Sequence, residues 1–174
     1  MRGIIVLLAV SFMLLSGCSN GGAGDSPLMD EIKSSMDKAK VKADEIVHVE
    51  VVQDGYQVFY RNGEGLNTGF VENDAAAKWT PFSQETNNLN PETGLSWSAN
   101  NKENLHLYFF YGAITNPDIA RVITKKPDGS LEKSAKIVTT ESGVRLWFSY
   151  YDRQVDAPMD IIGLNKDGKA IYPD

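Results

Sequence analysis

The hydrophobic positions along this chain change their period once. Over residues 27–40, Leu28, Ile32, Met36 or Ser35, and Ala39 recur at steps of three and four, while Asp30, Lys33, Asp37 and Lys38 fall elsewhere. That spacing predicts an amphipathic helix with one weak apolar stripe. Ser26-Pro27 supplies an N-cap and a proline at the first helical position, and Asp30 and Glu31 sit in the first turn, where the helix dipole favours acids. The helical unit is assigned to residues 27–42 and is expected to pack on the body that follows, with a solvated stalk as the alternative.

From residue 45 the period falls to two. Val47, Val49 and Val51 alternate with His48 and Glu50, Asp54-Gly55 supplies a hairpin turn, and residues 56–61 make the return strand. Shorter strands are predicted at 68–71 and 78–82, then a loop over 83–93, then strands at 96–99 and 105–111. Further strands at 119–124, 131–139, 144–151 and 159–164 are separated by Lys126-Pro127-Asp128-Gly129, Glu141-Ser142-Gly143 and Asp156-Ala157-Pro158. An Asn165-Lys166-Asp167-Gly168 turn returns residues 170–172 to the sheet. Turns at this spacing, with no internal repeat, predict a mainly β fold: an antiparallel two-sheet, immunoglobulin-like sandwich over residues 45–174 with one N-terminal helix. The length of 174 residues and 42% hydrophobic content suit one such domain.

The first residues follow neither pattern. Met1-Arg2-Gly3 carries one positive charge and precedes an apolar run over 4–15, the charged and hydrophobic regions of a secretory signal. The run is too short to span a bilayer comfortably. Leu15-Ser16-Gly17-Cys18 then closes it with small residues and the only cysteine. This segment resembles the lipobox of bacterial lipoproteins. The resemblance implies a signal peptide over 1–17, cleavage before Cys18, and a lipid thioether on Cys18, whose thiolate is the alkylated nucleophile. Ser19 follows, so the Asp that commonly retains Gram-negative lipoproteins at the inner membrane is absent. The expected place is therefore the extracytoplasmic side of the cell membrane, or the outer membrane of a Gram-negative cell. Residues 18–26, with Asn20-Gly21-Gly22-Ala23-Gly24, read as a flexible lipid-anchored linker. The segments Gln53-Asp54-Gly55-Tyr56-Gln57-Val58-Phe59-Tyr60, Gly143-Val144-Arg145-Leu146-Trp147-Phe148 and Gly163-Leu164-Asn165-Lys166-Asp167-Gly168-Lys169 look like stretches of small uncharacterised lipoproteins of Gram-positive bacteria. No functional residues come with that likeness.

Charge and residue counts remove whole classes of chemistry. The net charge of -6 offers no basic field for nucleic-acid phosphates, and loss of Arg2 with the signal would make the mature charge -7. One Cys and two His cannot build a Cys/His zinc site or an antibody-type core disulfide, so no metal and no cofactor are expected. There is no Gly-x-Ser-x-Gly and no P-loop. His48 and His106 both read as residues of strand faces. Asp118, Asp152, Asp156 and Asp160 are the acids from which a small envelope hydrolase would draw a carboxylate pair.

Aromatic residues carry the remaining signal. Over 144–151 the alternation puts Val144, Leu146, Phe148 and Tyr150 on one face and Arg145, Trp147, Ser149 and Tyr151 on the other; Tyr108 sits likewise on the neighbouring strand. Tyr108, Trp147 and Tyr151 are thus expected either to form an outward patch for sugar or peptide contact, or to lie beneath the N-terminal helix or the 83–93 loop. The expected function is a non-enzymatic, membrane-tethered module that binds or scaffolds an envelope protein or glycan.

Overall fold

The structure is a computed structural model that describes residues 26–173 apart from 64, 74–75 and 83–86. The expected signal peptide, Cys18, the linker up to residue 25 and part of the 83–93 loop lie outside the described residues. Ser26 caps helix α1 (Pro27–Lys38), its side chain accepting from the Met29 N–H, with Pro27 in the first turn. The strands follow in chain order: β1 (Glu45–Val52), β2 (Gly55–Asn62), β3 (Gly65–Glu72), β4 (Trp79–Pro81), β5 (Asn87–Asn88), β6 (Ser98–Lys102), β7 (Leu107–Ala113), β8 (Arg121–Lys125), β9 (Lys133–Ser134), β10 (Lys136–Thr139), β11 (Arg145–Tyr151), β12 (Asp160–Leu164) and β13 (Ala170–Tyr172).

Among the described residues these strands form three antiparallel sheets rather than the two expected. Sheet 1 runs β1-β2-β3-β4, with β5 also on β3; sheet 2 runs β10-β11-β7-β6; sheet 3 runs β13-β12-β8-β9. The fold is mainly β, a sandwich with one helix, extended by a layer. Sheets 1 and 2 enclose a core of Phe59, Leu66, Phe70, Leu107, Phe109, Tyr111, Leu146 and Phe148. The opposite face of sheet 2 meets sheet 3 through Tyr108, Phe110, Trp147, Tyr151, Val122 and Ile161. Helix α1 covers the outer face of sheet 1, setting Ile32 and Met36 on Val58, Val71, Ala77 and Trp79. The order is therefore helix, sheet 1, sheet 2, sheet 3. Strand β7 is buried at every residue because sheet 2 is covered on both faces.

Local departures from the expected pattern have local causes. Residues 131–139 are not one strand: β9 pairs with β8 in sheet 3, and β10 pairs with β11 in sheet 2. A single period-2 run can pass from one layer to the next without changing its hydrophobic signature. The hairpin loop is Gln53-Asp54, since Val52 already pairs with Gly55, and Asp54 takes the positive φ of 63°. A bulge at Val47 shifts the β1 register between Ile46 and His48. It brings His48 to the same side as Val47, where the imidazole stacks on Phe59 and Phe148. His106 is not in a strand; it closes a short 3-10 turn at φ 50° and β7 starts after it.

Candidate functional site

Tyr108, Trp147 and Tyr151 come together, but inside the molecule: their exposures are 8%, 0% and 5%. Sheet 3 covers them, and helix α1 packs on sheet 1 instead. Their polar tips are used internally. Tyr151 Oη lies 2.6 Å from Thr124 Oγ1, and Trp147 Nε1–H donates to the Ser96 carbonyl at 3.0 Å. The outward-patch reading is thereby corrected, because the second aromatic face of sheet 2 is core.

Exposed apolar surface lies elsewhere. Among the described residues two large hydrophobics stand in solvent, Val51 at 75% and Trp97 at 46%. Val51 is a lone side chain beside a hairpin turn. Trp97 instead borders an open groove of about 500 Å³, lined also by Met159, Asp160, Ile162, Tyr172 and Pro173. That volume is within the roughly 300–1,000 Å³ of small-ligand sites. A second cleft, beside the end of α1, has about 250 Å³ and falls below that range.

The groove is built where two sheets end. Trp97 directly precedes β6, at the margin of sheet 2, while β12 and β13 supply the other wall from sheet 3. The backbone carrying Trp97 is held on both sides. Ser96 N–H donates to the Ala113 carbonyl at 2.9 Å, Ser96 Oγ accepts from Ala113 N–H at 3.1 Å, and Trp147 engages the Ser96 carbonyl. Phe110 braces the Trp97 ring at 6.2 Å between centroids, tilted by 46°. Gly112 is what permits this approach: a Cβ there would lie 1.8 Å from the Ser96 carbonyl oxygen.

Of the four acids weighed for hydrolysis, Asp160 alone lines the groove, half-buried; Asp118, Asp152 and Asp156 are exposed and do not border it. The Asp160 carboxylate has no hydrogen-bond or ion-pair partner among the described residues, although Lys125 stands opposite it in the β8–β12 register, and no group of three His, Cys, Asp or Glu among them could hold a metal ion. No described helix is long and apolar enough to cross a membrane.

A second polar cluster crosses the seam between sheets 1 and 2. Lys136 Nζ lies 2.7 Å from a Glu50 carboxylate oxygen, which is also 2.7 Å from His48 Nε2. Burial alone would raise the Glu50 carboxyl, but hydrogen bonds and charge from Lys136 and His48 outweigh it and hold the group below its ordinary 4.5. Nearby, Tyr150 donates its hydroxyl to Gln57 Oε1, and Gln57 Nε2 donates to Thr68 Oγ1 at 3.2 Å. Burial first, then the Glu50 charge, push the Tyr150 hydroxyl far up, so it remains a donor. Each side chain here is occupied by another, which fits a clamp between layers.

Trp97, Tyr172 and Met159, which line the groove, are not among the site residues that the sequence pattern marks. A signal for Trp97 was present, since Ser96-Trp97-Ser98 sets one large ring between two hydroxyls where no apolar period requires it. Comparison with family models, curated proteins and solved structures finds no match to this chain.

Proposed function

We propose that this chain is a lipid-anchored, non-enzymatic binding module on the extracytoplasmic face of a bacterial membrane, tethered through Cys18 and engaging an envelope component through the Trp97 groove. The tether rests on the apolar run ending in Leu15-Ser16-Gly17-Cys18. The observation that carries the binding role is the exposed indole of Trp97 at the rim of a groove, in a domain whose other two tryptophans, Trp79 and Trp147, are buried. The layer order supports the division of labour. Helix α1, which follows the linker, packs on sheet 1, whereas the groove opens on sheet 3, two layers further on at about 10 Å per sheet spacing.

Metabolic labelling with a palmitate analogue in a bacterial host tests the tether. The natural chain should be labelled and sediment with membranes, and Cys18→Ala should lose both properties. Continued labelling of Cys18→Ala would refute it. Trp97→Ala should leave labelling unchanged, because the groove and the anchor are separate.

A further inference from the structure

We infer that the groove between Trp97 and Asp160 takes a saccharide chain, uncharged or amine-bearing; the inference rests on the envelope-binding reading above and names its ligand class. The groove combines two kinds of surface that one ligand must satisfy together. Trp97 offers the exposed part of an indole braced from behind by Phe110, and Tyr172 stands half-buried in the same lining. Asp160 offers a carboxylate with no donor among the described residues. A pyranose ring presents an apolar C–H face, which stacks on an indole, and a rim of hydroxyl donors, which an ionised carboxylate accepts.

Other occupants match only one of the two. An acyl chain or an apolar helix would cover Asp160 and give it no hydrogen bond, at the cost of desolvating a charge. A peptide added as a strand would need a long free edge; β13 offers three residues and is followed by Pro173, which has no N–H, and the edge strand β6 is engaged at Asn101, whose amide bonds both the N–H and the carbonyl of Val155. A polyanionic glycan would meet both Asp160 and a chain of net charge -6. The hydrogen bonds that hold Ser96 leave little of the Trp97 backbone to be ordered on binding, which favours a ligand of modest contact area.

The test is a titration of the mature lipidated protein in detergent micelles with three soluble probes: N-acetylglucosamine oligomers, glucosamine oligomers and a lysine-rich decapeptide. The readout is the three tryptophan indole N–H signals by NMR. Binding of either sugar should move the Trp97 signal and leave the buried Trp147 signal in place. Trp97→Ala should weaken the affinity by about tenfold or more, in keeping with loss of one stacked ring. Asp160→Asn, which keeps the shape of the side chain, should weaken glucosamine oligomers more than the N-acetylated ones. Sugar binding that survives Trp97→Ala unchanged, or a Trp97 signal moved by the peptide and by neither sugar, overturns the inference. Silence toward both sugars in a protein that still incorporates palmitate at Cys18 also overturns it, while leaving the tether standing.

Discussion

The indole N–H of Trp147 donates to the carbonyl of Ser96 at 3.0 Å, so a fully buried tryptophan fixes the backbone that presents the exposed Trp97 one residue later. Trp147 is in this sense a positioning residue for the groove. The relation also requires the sheet 3 side of sheet 2 to stay covered, since the anchor keeps Trp147 in the core between sheets 2 and 3.

Trp147→Phe keeps an aromatic ring and removes the donor. The lost hydrogen bond and the smaller ring together should cost about 2–3 kcal/mol. Urea denaturation reads the stability, and the Trp97 indole N–H signal should broaden as Ser96 loosens. A sharp, unmoved Trp97 signal would show that the anchor has no role in presenting the groove.

Gly112→Ala places a methyl group 1.8 Å from the Ser96 oxygen and 2.9 Å from Trp147 Nε1. The first obstacle is backbone, so rotation of a side chain does not relieve it. The variant should lose about 1–3 kcal/mol by overpacking and should disturb Trp147 and Trp97 in one step, as followed by thermal melting and the same two indole signals.

Ile32→Ala removes the centre of the contact between α1 and sheet 1, a side chain with 0% exposure. A loss of about 2–4 kcal/mol is expected from the cavity and the lost transfer energy. The Trp79 indole signal should shift and that of Trp147 should not, because two sheets stand between the helix and Trp147. A shift at Trp147 alone would contradict the layer order.

The Glu50 clamp sets a pH dependence of definite sign. Its carboxyl is held below the ordinary 4.5 in the folded protein, so its contribution is complete above that value and disappears as the pH falls through the folded pKa. Lys136→Met should cost no more than about 1 kcal/mol at pH 7, given that the pair is partly solvated. The stability difference from the natural protein should shrink as the solution is acidified below pH about 4.5. Chemical denaturation at several pH values checks this; a difference that grows on acidification would reverse the assigned sign.

Much of the architecture was legible in local chemistry. Ser26-Pro27 and the spacing of Ile32 and Met36 marked the helix, because capping and a 3.6-residue stripe are properties of one short segment. The alternation in residues 144–151 divided Leu146 and Phe148 from Trp147 and Tyr151 correctly, because successive strand residues must point to opposite faces. The bulge at Val47 was not legible: one unpaired residue resets the register against a partner strand that the β1 residues do not themselves encode.

By itself, the sequence determined the β class, the capped helix over residues 27–38 and the positions of most turns, since each depends on residues close together in the chain. Only the tertiary structure decided what faces what. Alternation shows that Trp147 and Leu146 lie on opposite faces, but not that a third sheet covers Trp147 while the neighbour of Ser96 is left in solvent. Burial is fixed by packing between segments such as Trp147 and Ser96, 51 positions apart, and a hydrophobic pattern carries no information about which distant element arrives to cover it.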